Sequence, residues 1–310
     1  MRKGWGVFLI VILVLSLACG SVFAASSKVG TSGAQFLKIG AGARAAGMGG
    51  VYTGVADDVS AIYWNPGGIA QIQSPQALYT YNRWFQDISH QFAAYAMPIN
   101  KFGVVGIGVT LLGVTDMEKR TADTEEKDGT FTAQDLAVAL SYGRQINDML
   151  MLGANVKFLS SKIDTENASG VALDVGAMVK TGVQGLNLGL AVTNIGSKYK
   201  FVDEGDPLPM AIKVGAGYKL LNDSLTLAAD AVLPNDNTLQ VGGGVEYALK
   251  FGDDTALALR TGYKTGVDTG GISGLGAGLG VSYKMFGFDF AWSPYGDLGD
   301  AIRGSLSLKF

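Results

Sequence analysis

Residues 299–310, GDAIRGSLSLKF, alternate in polarity and finish on an aromatic. Ile302, Gly304, Leu306, Leu308 and Phe310 fall on one face, and Ala301, Arg303, Ser305, Ser307 and Lys309 on the other, because successive side chains of a strand point to opposite sides. The pattern recurs in nearly every strand-length window back to about residue 100. A soluble sandwich would also alternate, but it would leave the many outward Leu, Val, Phe and Trp with nothing to cover them. The alternation predicts an all-β chain: a transmembrane antiparallel β-barrel with lipid outside and a polar lumen inside.

The N-terminus agrees. Arg2 and Lys3 precede an apolar run from Val7 to Leu17, and small residues lead to Val22-Phe23-Ala24. This predicts a secretory signal peptide over residues 1–24, cleaved after Ala24; the run is too short for a membrane helix. Cys19, the single cysteine, lies inside it, and Ser16-Leu17-Ala18-Cys19 weakly resembles a lipoprotein cleavage box with Ser where Leu is usual. Export and a barrel together point to the outer membrane of a diderm bacterium. Mean hydropathy is +0.24, yet no later apolar stretch reaches helix-spanning length, as expected when short alternating strands cross instead. A net charge of −3 argues against a nucleic-acid partner.

Residues 25–75 lack the alternation. Small residues dominate Gly40 to Gly50, then a short helix is predicted with Asp57 or Asp58 near its start, stopped by Asn65-Pro66-Gly67-Gly68. Fifty residues with so little core must pack against something, and the lumen of the following barrel predicts a partly helical plug or hatch. Residues 76–310 form that barrel. They divide into about 14 strand windows: 76–85, 89–98, 101–113, 130–143, 149–161, 169–181, 185–196, 208–221, 223–233, 238–250, 254–265, 273–284, 285–293 and 300–310. Tight turns alternate with longer polar connections at 85–89, 114–129, 160–169, 196–208, 233–238, 265–273 and 293–300, the asymmetry expected of the two rims. Thr115 to Gly129 reads as a long solvated loop. Phe310 reads as the terminal signal taken by barrel assembly machinery.

Period 2 assigns Asp135, Lys157, Asp174, Lys180, Lys213, Lys219, Asp230, Glu246, Arg260, Lys264, Asp289, Arg303 and Lys309 to the lumen. Mixed signs predict pairing within a braced, mostly closed interior; a ring of one sign would have suggested an ion-selective pore. Outward Tyr142, Tyr218, Tyr247, Tyr263, Tyr283 and Trp292 predict interfacial girdles in contact with outer-membrane lipid. His90, the only histidine, reads as a loop or rim residue, and neither catalysis, a metal nor a cofactor is expected. The glycine runs lack the lysine and helix of a phosphate loop and read as packing and twist.

The stretch KVGTSGAQFLKIGAGARAAGMGGVYTGVADDVSAIYWNPGGIAQI resembles the opening of the PorV/PorQ family, within the outer-membrane barrels typified by the FadL long-chain fatty-acid transporter. The likeness is densest at Gly40–Gly50, Val55-Ala56-Asp57-Asp58 and Tyr63-Trp64-Asn65-Pro66-Gly67, and continues at Leu208-Pro209 and Lys213–Tyr218. It implies a fourteen-stranded barrel with an N-terminal hatch, making Asp57, Asp58, Asn65, Pro66 and Gly67 gating candidates. Gly67 replaces the alanine usual in the hatch turn, an exchange expected to be mild between two small residues. The resemblance implies transport of a hydrophobic ligand through a hatch-gated barrel. The alternative is a type IX secretion carrier that binds the C-terminal domains of secreted cargo and delivers them to an attachment complex; a third is a structural envelope protein.

Overall fold

In apolar solvent a strand must find backbone partners on both sides, and only a closed sheet gives every strand two. The computed structural model describes residues 29–310 apart from Asp87, Thr124, Asp253 and Asp268, so the expected signal peptide and Cys19 lie outside the described residues. Sixteen strands are present among the described residues: β1 (Gln76–Arg83), β2 (Ser89–Pro98), β3 (Val104–Lys119), β4 (Gly129–Gln145), β5 (Leu150–Ile163), β6 (Glu166–Lys180), β7 (Leu186–Gly196), β8 (Tyr199–Lys200), β9 (Gly205–Asp206), β10 (Ala211–Leu220), β11 (Leu225–Pro234), β12 (Gln240–Phe251), β13 (Thr255–Lys264), β14 (Leu275–Tyr283), β15 (Phe286–Pro294) and β16 (Asp300–Lys309). All but β8 and β9, which form a small separate hairpin, close into one fourteen-stranded antiparallel barrel. The seam joins β1 to β16 with Gln76 opposite Lys309. Each predicted window holds one barrel strand.

Two connections differ from expectation. β3 runs on to Lys119 past a register shift between Val114 and Met117 and pairs with β4 from Gly129, so much of the predicted loop is a two-stranded extension. β5 and β6 also continue until only residues 164–165 separate them. Alternation fades in both places because solvent reaches both faces, while backbone pairing persists.

The outer face is apolar. Leu152, Val156, Phe158, Val171, Leu173, Val175, Leu188, Leu190, Phe286, Phe288, Phe290, Ile302 and Leu306 are exposed, as are Tyr142, Tyr247, Tyr263 and Tyr283 towards the rims. Leu186, which shares the outward alternation of Leu188 and Leu190, is nevertheless buried; the 181–185 turn folds back on it, with Leu186 N donating to Val183 O. Lys180 and Lys309, assigned to the lumen, stand exposed at strand ends by the tight turns. His90 is also misplaced by the sequence reading. It is fully buried and paired in register with Asn82 on β1, because β2 begins at Ser89 and its inward parity carries His90, Phe92 and Ala94.

The lumen is filled by residues preceding β1: a 3₁₀ turn (Gln35–Lys38), α1 (Ala43–Gly47), α2 (Ala61–Trp64) and a second 3₁₀ turn (Pro66–Gln71). Met48, Val51, Tyr52, Ile62, Trp64 and Ile69 pack with inward Phe92, Ala94, Ala96 and Val104. Burying a large side chain of this kind contributes about 1.5–3 kcal/mol.

Leu190 sits at the middle of β7, opposite Val214 and Ala177. Leu190→Arg is expected to destabilise the barrel by about 2–4 kcal/mol, measured as the shift in denaturant unfolding in lipid vesicles. A neutral result would mean this face does not meet acyl chains.

Candidate functional site

Arg44, on α1, is the hub of the lumen. Its Nη1 donates to Asp57 Oδ1 at 2.6 Å and to Asp58 Oδ2 at 3.1 Å, while Nε and Nη2 grip Glu246 of β12 at 2.8 Å each. This two-pronged geometry is what a planar guanidinium offers a carboxylate. Arg260 of β13 donates to Glu246 at 2.6 Å and to Asp289 of β15 at 2.6 Å. Lys219 of β10 closes on Asp57 at 2.7 Å, and the Tyr52 hydroxyl donates to Asp58 at 2.7 Å. The chain of charges thus runs from the plug through four separate wall strands.

A second group lies across the lumen. Asp174 of β6 takes Lys157 of β5 at 2.7 Å, Asn155 Nδ2 at 2.9 Å and the backbone N–H of Asn194 at 2.7 Å. Asn155 also donates to Ile62 O of the plug at 2.7 Å. Asn194 is left-handed (φ 61°) and lies where the β6–β7 register shifts between Leu173 and Val175. The carboxylate therefore caps a bulge in the wall, where extra residues leave a backbone donor without a ladder partner. Lys213 of β10 lies over the rings of Tyr63 and Trp64, 5.4 and 5.7 Å from their centroids. Asp230 of β11 accepts the plug N–H groups of Tyr52 and Thr53 at 2.8 and 2.9 Å.

The Asn65-Pro66 turn ties plug to wall. Asn65 Oδ1 caps the second 3₁₀ turn by accepting Gly67 N, and its Nδ2 donates to Thr53 O and to Ala177 O of β6, all at 3.0–3.1 Å. Gly67 corrects the expectation of a mild exchange. A Cβ there would lie 2.9 Å from both Ala177 Cα and Gly176 O, so alanine would force backbone apart. The wall is cut to the same tolerance: a Cβ at Gly189 would meet Thr53 O at 2.1 Å, and one at Gly262 would meet Met48 O at 2.1 Å.

Other predicted lumen residues stand apart from these groups. Asp135 accepts from Ser161, which in turn accepts from Tyr199 OH at 2.7 Å. Arg303 is 4% exposed and stacks on Trp84. Phe310 is exposed, with its N–H on Pro75 O at 3.0 Å. Sequence reasoning missed Arg44, the one charge within a run of small residues, and it missed Asp236. This carboxylate, in the β11–β12 loop and 1% exposed, accepts Ser32 Oγ, Gln35 Nε2 and Lys38 Nζ at 2.5, 2.9 and 3.0 Å. It clamps the first turn of the plug.

The space left between plug and wall is small. One cavity of about 30 Å³ is lined by Leu37, Ile62, Tyr63, Phe92, Asp174 and Lys213 among others, room for a water or two. That cavity is too small for a hydrocarbon ligand unless the plug moves.

The model of the family described as "Type IX secretion system protein PorV" matches residues 23–235, more than half of the chain. No curated protein matches at sequence level. Among solved structures, the CymD monoaromatic hydrocarbon channel is similar with a TM-score of 0.60 at 11% identity, over 88% of this chain and 98% of that one. The toluene transporter TodX of P. putida gives 0.58 at 12% over 87% and 99%. A Pseudomonas aeruginosa FadL homologue gives 0.59 at 13% over 93% and 99%. At such identities the shared feature is the FadL-like fold.

Two outcomes test the site. Arg44→Ala leaves Asp57, Asp58 and Glu246 facing one another and is expected to cost about 3–5 kcal/mol, read as loss of protease protection across residues 29–72 while the barrel stays folded. Second, burial pushes the Asp236 carboxyl up, but donors from Ser32, Gln35 and Lys38 outweigh it and hold the group below its ordinary value. Its contribution is therefore complete above the ordinary aspartate range, about pH 4, and fades as pH falls through the lowered value. Protection of residues 29–39 should persist at pH 5 and fail in stronger acid. Asp236→Asn should remove that pH dependence.

Proposed function

We propose that this chain, which belongs to the PorV family, works in the outer membrane as a plugged barrel that receives secreted protein at its long-loop rim and passes it to an attachment complex, with no open channel through its lumen. The observation that carries this reading is the closed interior: a braced plug and cavities of water size leave the rim as the surface available for exchange. That rim carries the β3–β4 extension, with Glu118, Lys119 and Arg120, and the β8–β9 hairpin with exposed Val202 and Lys200. Contact with lipid, insertion by barrel assembly machinery and the absence of a catalytic step belong to the same reading.

A second reading has an observation of its own. The cavity lined by Leu37, Ile62, Tyr63 and Phe92 abuts the Asp174–Asn194 bulge, which supports passage of a small hydrophobic molecule once the plug shifts.

The barrel in mild detergent should retain purified C-terminal domains of secreted cargo from the same cell, and shortening of loop 197–210 should weaken that retention at least tenfold. Failure of every cargo domain to bind, together with loss of monoaromatic uptake in cells lacking the protein, would replace docking by the second reading.

A further inference from the structure

Three cations converge at the long-loop end of the lumen, and only Lys38 among them has an acid partner. Lys38 comes from the plug, Lys264 from the end of β13 and Arg303 from β16, and all three line a cavity of about 40 Å³ whose other walls include Gly50, Trp64 and Tyr295. No Asp or Glu lines it. Lys38 is shared with Asp236 at 3.0 Å. Lys264 and Arg303 have no ion pair among the described residues, whereas Glu246 and Asp289 are taken by Arg44 and Arg260.

We infer that Lys38, Lys264 and Arg303 form a binding site for an oxyanion, the head of a phosphate, sulfate or carboxylate group. Arg303 is 4% exposed and its Nε has no hydrogen-bond partner. Trp84 covers its guanidinium at 5.5 Å and the Tyr295 hydroxyl is its polar neighbour. An arginine so placed keeps donors to spare beyond the Tyr295 hydroxyl, its Nε among them, and a buried cation without a carboxylate partner is costly to hold. The plug faces these cations with glycine backbone and the Trp64 ring. A Cβ at Gly50 would stand 3.3 Å from Trp64 and 3.6 Å from Lys264 Nζ, and one at Gly40 would stand 2.9 Å from Trp64 and 3.5 Å from Arg303 Nη1, so neither position offers the cations an acid. The cavity as it stands has room for a water or two, so an anionic head enters by displacing water and by movement of the lysine side chains, and an alkyl chain would have to trail towards the rim. Like charges gathered around one void repel, and an anion between them reverses the sign of that interaction.

The site stands independently of cargo docking, and cargo plays no part in its test. Calorimetric titration of the purified full barrel, in non-ionic detergent at low ionic strength, should show saturable one-to-one binding of inorganic phosphate, sulfate or octanoate. Lys264→Met and Arg303→Gln should each weaken it at least tenfold, with Lys101→Met, exposed between β2 and β3, unchanged. Stronger binding of octanoate identifies a lipid-like carboxylate as the source; stronger binding of phosphate or sulfate identifies a free oxyanion or a headgroup. Thermal unfolding of the unaltered protein needs no variant, and the bound anion should raise its Tm. The proposal is overturned if none of the three anions binds saturably or shifts Tm, or if binding survives in both variants.

Discussion

The plug lies on the barrel wall at backbone distance. Where Thr53, Met48 and Ala46 pass the wall, the strand residues beneath are Gly189, Gly262 and Gly276, and a Cβ at any of them would fall 2.1–2.2 Å from a plug carbonyl. Contact this close fixes the plug in depth and rotation, because no rotamer change can relieve a collision between backbones. The charged network is built on that seating. Arg44 reaches Glu246 with two bonds only because α1 sits directly against β13 to β16.

The ion pairs hold geometry more than they supply stability. Taking charges from water into a packed interior costs nearly as much as their attraction returns, but removing one partner leaves the other stranded. A lumen lined by Glu246, Arg260, Asp289, Asp174 and Lys157 is thus tolerant of one arrangement of the plug and hostile to others. Asp236 adds a clamp at the rim, outside the crowded core, where a small change in conditions can act on the first turn alone. The same economy explains the cationic cavity: Lys264 and Arg303 sit where the plug contributes glycines in place of a carboxylate.

Barrel strands were legible because lipid and lumen impose opposite demands on adjacent residues. Val171, Leu173 and Val175 against Asp174 show the alternation directly, and each window overlaps its strand, although β3 runs on to Lys119 past its predicted end. The hatch was legible as a segment without a core of its own, and its Asn65-Pro66 turn as a stop. The pairing of charges was legible in kind but not in detail, since period 2 gives the face of Glu246 and Arg260 and says nothing of which plug residue meets them. Arg44 was hidden in a run read for its small residues. His90 was read as a loop or rim residue from its place at the start of β2, beside the 85–89 connection, whereas pairing with β1 buries it opposite Asn82. The strand glycines read as twist because their reason, a second backbone pressed against them, is a tertiary fact that no local pattern encodes.

The central claim is that the plug closes the barrel at rest, and ion conductance across a planar lipid bilayer tests it most directly. A locked plug predicts that the intact protein inserts and stays electrically silent, while a chain lacking residues 29–72 conducts steadily. Steady conductance through the intact barrel, equal to that of the shortened chain, would contradict it.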